Sequence, residues 1–173
     1  MENRTINFMS YNSTGLDKVK TRWIRDLIST CKIDFFQLQE HFKITKSLEQ
    51  FFRREFPEND SFIIPGHREP LQDSGWAKGG LAQLSCKKLV VKKERLVPKY
   101  WRIQSQILHF DAYKLMWINC YFPTDPQTVQ INEQDLSEAQ DEIENILDNN
   151  IYDDCIVSWL WLQFWQQKDF WLC

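Results

Sequence analysis

Asn12 and Glu40 are the residues of this chain whose types and spacing can do chemistry. Each closes a segment that reads as a β-strand. Ile6 to Tyr11 alternates apolar and polar side chains and runs into Asn12, after which Asn, Ser, Thr and Gly break the pattern. Ile33 to Leu38 is a nearly continuous apolar run, as expected of a strand covered on both faces, and it ends in Gln39-Glu40-His41. Between the two, Trp23, Leu27 and Cys31 recur every four residues with Ile24 and Ile28 beside them, which predicts an amphipathic helix over Lys18 to Cys31. A strand, a crossover helix and a second strand form a right-handed unit with parallel strands. Asn12 and Glu40 are therefore expected at one edge of one sheet, where open α/β folds place their sites. A carboxylate and an amide there can share one hard cation or one phosphate. An Asn that makes a turn and a Glu that is solvated at a strand end would look the same, and spacing alone leaves both readings open.

The elements that must position these residues follow in order. Ser47 to Phe56 carries Leu48, Phe51, Phe52 and Phe56 at helical spacing and is ended by Pro57. Phe62-Ile63-Ile64 reads as a short strand, and His67 to Lys78 as an exposed polar loop. Gly79-Gly80 opens a strand over Leu81 to Leu84; such a pair permits backbone angles closed to other residues, or close approach of a neighbour. Leu89 to Val91 and Arg102 to Phe110 read as strands joined by a turn near Pro98. Lys87, Lys88, Lys92, Lys93 and Arg95 cluster there, with Trp101 and Arg102 nearby; a phosphate-contacting face and a lysine-protected edge strand both account for this, and the edge strand is the preferred reading. Leu115 to Tyr121 is a core strand. Leu136, Ala139, Ile143, Ile146 and Leu147 make Gln134 to Leu147 an amphipathic helix with an acidic outer face, and Asp154 to Val157 begins another strand.

Four of these stretches, in order, carry a resemblance: Ser10-Tyr11-Asn12, Leu38-Gln39-Glu40, Gly79-Gly80-Leu81-Ala82, and the strand exit with Asn119, Tyr121 and Pro123. From Ile6 through Val157 the chain resembles the endonuclease/exonuclease/phosphatase superfamily, in particular the apurinic-type endonuclease domains of non-LTR retrotransposons and the host proteins derived from them. The resemblance implies an α/β fold, a partial four-layered sandwich of two packed β-sheets flanked by helices. It implies Mg²⁺-dependent hydrolysis of DNA phosphodiesters, with Glu40 as metal ligand, Asn12 holding the phosphate or the metal-bound shell, and Tyr121 contacting the phosphate. A small phosphate ester is the less favoured substrate, because the wording of the motifs is retrotransposon-like.

The resemblance then breaks. The superfamily's next strand runs into Gly-Asp-x-Asn, whereas here Trp159 stands for the Gly, Leu160 for the Asp and Leu162 for the Asn. A leucine can neither orient a water nor donate to a phosphoryl oxygen. The late Asp–His pair has no counterpart among His41, His67 and His109. The expected organisation is an incomplete domain over 1–157 and a foreign tail over 158–173, which holds four of the eight Trp and no Gly or Pro. The functional expectation is an impaired Mg²⁺-dependent endonuclease, or else a non-catalytic remnant of that fold that binds nucleic acid or protein.

Bulk properties narrow the field. The 173 residues suit one domain with a real core, and a hydrophobic fraction of 43% excludes compositional disorder. A net charge of -3 argues against tight non-specific DNA binding and leaves room for a local basic patch. Five cysteines without a CxxC pair fit a reducing compartment better than a disulfide framework or a zinc site. MENRTINF has no apolar h-region and no run is long enough to span a membrane, so an intracellular location, the nucleus included, is expected.

Overall fold

The opening strand–helix–strand unit forms as its pattern predicts. Strand β1 (Phe8–Asn12) and strand β2 (Phe35–Gln39) are parallel, with Asn12 paired to Gln39, and helix α1 (Lys18–Thr30) connects them. The computed structural model describes residues 5–44, 47–67, 79–96, 99–111, 113–121 and 133–160. Contacts divide the chain into two units, residues 1–90 and 91–173.

In the first unit, helix α2 (Leu48–Glu55), strand β3 (Asn59–Ile64) and strand β4 (Leu81–Cys86) complete a four-stranded mixed sheet of order β1-β2-β4-β3. Its core joins Ile24 and Ile28 of α1, Leu48 and Phe52 of α2, Phe36 and Leu38 of β2, and Ala82 and Leu84 of β4. Every residue of β2 is buried, which agrees with its continuous apolar run. Of the apolar positions that mark α1 as amphipathic, Ile24 and Ile28 are the buried ones, with Thr21. This row and the Trp23–Leu27–Cys31 row both have helical spacing. The narrower Ile row faces the sheet, while Trp23 stays 47% exposed at the rim, its ring 5.1 Å from that of Tyr11. Full burial of Ile24 is the larger contribution, about 2 kcal/mol on transfer grounds.

The second unit holds strands β5 (Lys92–Leu96), β6 (Ile103–Phe110), β7 (Tyr113–Tyr121) and β8 (Asp154–Leu160) in that sheet order, with helix α3 (Glu133–Asp148) before β8. Ala139 and Ile146 of α3 pack on Ile103, Ile107, Met116, Ile118 and Cys120. The side chain of Leu136 lies outside the described residues. The predicted strand at Leu89 to Val91 is corrected: the strand is the charged segment Lys92–Leu96, and Val90 is almost wholly exposed. This strand has one neighbour, β6, and shows mostly solvated side chains, so it needs no apolar run to form. That is the edge-strand reading of the lysine cluster. The class is α/β, two mixed four-stranded sheets with helices against them, as expected. β8 continues to Leu160, past the boundary placed between 157 and 158. The loop 68–78, the turn at Pro98 and residues 161–173 lie outside the described residues. Among the described residues no helix is long and apolar enough to cross a membrane.

Candidate functional site at the ends of β1, β2 and β4

Three backbone segments are laced together beyond the carboxyl ends of β1 and β2. Ser13 N–H donates to the Gln39 carbonyl (2.9 Å), Gly15 N–H to Glu40 (2.7 Å) and Leu16 N–H to His41 (3.2 Å). On the other side, His41 N–H donates to Gly80 (3.4 Å) and Phe42 N–H to Gly79 (3.0 Å), just ahead of β4. The buried Ser13 hydroxyl adds bonds to the carbonyls of Gln39 and Glu40, each 3.0 Å. Asn12 and Glu40 thus emerge side by side at one sheet edge. The backbone there is in the left-handed region at Thr14 (φ 42°), Glu40 (φ 54°) and Phe42 (φ 54°). Such residues each cost on the order of 1 kcal/mol and persist only where surrounding bonds hold them.

Asn12 makes the turn that its residue type suggests, and more. Its Oδ1 accepts from the Thr14 N–H (3.0 Å), which fixes which end of the amide faces the loop. The other end, Nδ2, is buried and has no hydrogen-bond acceptor among the described residues. A buried amide donor left unpaired costs about 1–3 kcal/mol. It is the kind of cost a fold carries where a ligand oxygen is to be met.

Glu40 is only 7% exposed, and among the described residues no cation or donor meets its carboxylate. Among these residues there is also no group of three His, Cys, Asp or Glu side chains able to hold a metal. One carboxylate fits Mg²⁺ only as a partial shell, completed by waters and a substrate phosphate. Next to it, His41 is fully buried. Lys43 N–H donates to its Nδ1 (3.0 Å), so Nε2 carries the proton and donates to the Ile64 carbonyl (3.1 Å). Burial, more than any other cause, lowers its pKa from 6.5 to about 4. It is a neutral scaffold residue here, not an acid or base. Gly80, at φ +88°, lies against that ring: a Cβ would sit 2.5 Å from His41 Cε1. The Gly pair is therefore used in both of the ways anticipated, for backbone angle and for close approach.

Tyr121 belongs to the second unit, at the end of β7, and is described there. Its N–H donates to the Arg102 carbonyl (3.0 Å) and its ring stands 5.8 Å from the Arg102 guanidinium, which also lies 4.5 Å from the Trp101 ring. β7 and β8 run parallel, and the residue in register with Tyr121 is Leu160. Sequence reasoning missed Ser13, His41 and Lys20, whose Nζ reaches back to the loop after Asn12. The one available signal was Lys20 in the first turn of α1, where a cation opposes the helix dipole.

No protein-family model and no curated protein matches the sequence. Solved structures do match. An AP endonuclease from Leishmania major is 16% identical with a TM-score of 0.55, over 77% of this chain and 47% of that one. The human Nocturnin catalytic domain is 13% identical with a TM-score of 0.57, over 89% and 62%. The endonuclease domain of TRAS1, a telomere-specific non-LTR retrotransposon, is 13% identical with a TM-score of 0.54, over 82% and 53%. An endonuclease/exonuclease/phosphatase family protein from Leptotrichia buccalis is likewise similar, with a TM-score of 0.57. The chain has the endonuclease/exonuclease/phosphatase fold, and it spans about half to two thirds of the length of these structures.

Proposed function

We propose that this chain recognises a DNA phosphodiester at Asn12 and Glu40 and cleaves it poorly or not at all. The observation that carries the reading is the buried, unpaired Nδ2 of Asn12 beside Glu40 at the strand edge. Asn12 donates to a phosphoryl oxygen, its direction set by the Thr14 bond. Glu40 would hold Mg²⁺, which, when bound, neutralises charge on the phosphate and the leaving oxygen. Tyr121 is assigned a phosphate contact by the resemblance alone. DNA, rather than a small ester, is favoured by the motif wording and by the nuclease names among the structural neighbours.

The weak cleavage follows from residue types. Leu160 occupies the β8 position in register with Tyr121, where the resemblance expects the Asp of Asp-x-Asn. Without that carboxylate and the following Asn, the sequence at this strand end lacks the two groups that the resemblance assigns to orienting a water. Loss of one such group costs on the order of 10²–10³ in rate, and the losses are not additive. The test is nicking of supercoiled plasmid in Mg²⁺ and in EDTA. Wild type and Glu40→Ala are expected to show the same background, and Leu160→Asp with Leu162→Asn to raise Mg²⁺-dependent nicking. Mg²⁺-dependent nicking by the wild type that Glu40→Ala abolishes would overturn the impairment.

A further inference from the structure

Helix α1 carries Lys18 and Lys20 in its first turn and no acidic residue there. The anion that the helix dipole favours at this end is the N-cap Asp17, and the two lysines work against that dipole. Lys20 turns back out of the helix. Its Nζ donates to the carbonyls of Ser13 (2.7 Å), Thr14 (3.2 Å) and Gly15 (3.1 Å). An ammonium has three donors and no acceptor, so this cradle uses all of them. The cradle is the turn that follows Asn12, with φ of 42° at Thr14 and 87° at Gly15. Carbonyl dipoles that converge this closely repel one another unless a cation lies between them. The same turn supplies the Thr14 N–H that orients the Asn12 amide. The backbone of Lys20 is fixed as well: its N–H donates to Oδ1 of the N-cap Asp17 (2.7 Å), so the side chain leaves the helix from a defined point.

We propose that Lys20 is a positioning residue for the Asn12 phosphate donor: its ammonium locks the 13–15 turn, whose Thr14 N–H sets the direction of the Asn12 amide. The proposal rests on Asn12 being a phosphate donor, as read above. The experiment follows the Asn12 side-chain amide by two-dimensional ¹H–¹⁵N NMR on the full chain, with inorganic phosphate as probe. Lys20→Met is expected to shift the Asn12 amide pair before any phosphate is added. It is also expected to weaken the phosphate response about tenfold, the scale of a lost charge-assisted bond. Ammonium ions, which can refill the cradle, should move the signals back. Lys87→Met is the control, because Lys87 also donates to a backbone carbonyl (Pro57, 2.7 Å) but away from the site. It should leave the Asn12 signals and the phosphate response unchanged. A folded Lys20→Met whose Asn12 amide coincides with wild type overturns the proposal. Should Lys20→Met not fold, the wild-type Lys20 ammonium decides: held by three carbonyls it gives a slowly exchanging ¹H–¹⁵N signal, and rapid exchange overturns the proposal. Phosphate that leaves the wild-type Asn12 amide unmoved sinks the functional reading separately, since the phosphate-free shift reports positioning alone.

Discussion

At the scale of single residues, the carboxyl ends of β1 and β2 are held by buried polar groups that bond to backbone. His41 is the clearest. Its ring accepts from Lys43 N–H and donates to the Ile64 carbonyl, and burial brings its pKa to about 4 from 6.5. The sign follows directly. Between pH 6.5 and about 4 the unfolded chain takes up a proton that the folded chain refuses. The stability tied to neutral His41 is therefore fully present above pH 6.5 and is lost as pH falls towards 4. The size of the effect is about 3 kcal/mol over that interval. Urea unfolding of wild type and His41→Gln at pH 7.5 and pH 4.5 measures it, and the difference between the two proteins should shrink at the lower pH. A constant difference would sink the assignment. The strand ends at Asn12 and Glu40 were legible in the sequence because an alternating run stops at one and an apolar run at the other. The bonds around them were not, because Ser13 and His41 reach carbonyls of segments distant in sequence and Lys20 folds back on a turn that no local pattern announces.

At the scale of elements, periodicity located ten of the eleven among the described residues and mistook one. The helices were legible because their buried stripes repeat locally. Which of the two apolar rows of α1 is buried was not legible, because Trp23 and Ile24 both continue a helical row and only the sheet selects between them. Strand β5 was missed because its stability comes from the ladder to β6, which a charged segment can join as well as an apolar one. The approach of β4 to the end of β2 is where an element-level prediction is sharpest. Gly80 combines φ +88° with a 2.5 Å approach of any Cβ to the His41 ring. The ring cannot yield easily, since both of its nitrogens are bonded to backbone. Gly80→Ala is expected to cost about 3 kcal/mol or more, strain and overpacking together. Equilibrium denaturation would show it as a lower midpoint, with the urea dependence unchanged. A loss below about 1 kcal/mol would mean that the β4 opening moves away from His41 without penalty.

At the scale of the whole chain, charge sets how any DNA contact must behave. A net charge of -3 gives no attractive field at long range, so association has to come from local groups. In the first unit Lys20 is tied into the Ser13–Gly15 turn rather than extended to solvent. The exposed basic residues of β5 alternate with Glu94, which itself meets His109 at 3.1 Å. Few phosphates can be neutralised by such a surface. Each contact contributes about -0.9 to the slope of log K against log salt for duplex DNA. One to three contacts therefore predict a slope of about -1 to -3, well short of the steep dependence of dedicated DNA binders. Fluorescence anisotropy of a labelled duplex between 50 and 200 mM salt measures this directly. A shallow slope that Asn12→Ala weakens uniformly across sequences fits recognition of the backbone at a small site. A steep slope would show that a broad basic surface, and not the Asn12–Glu40 edge, governs binding.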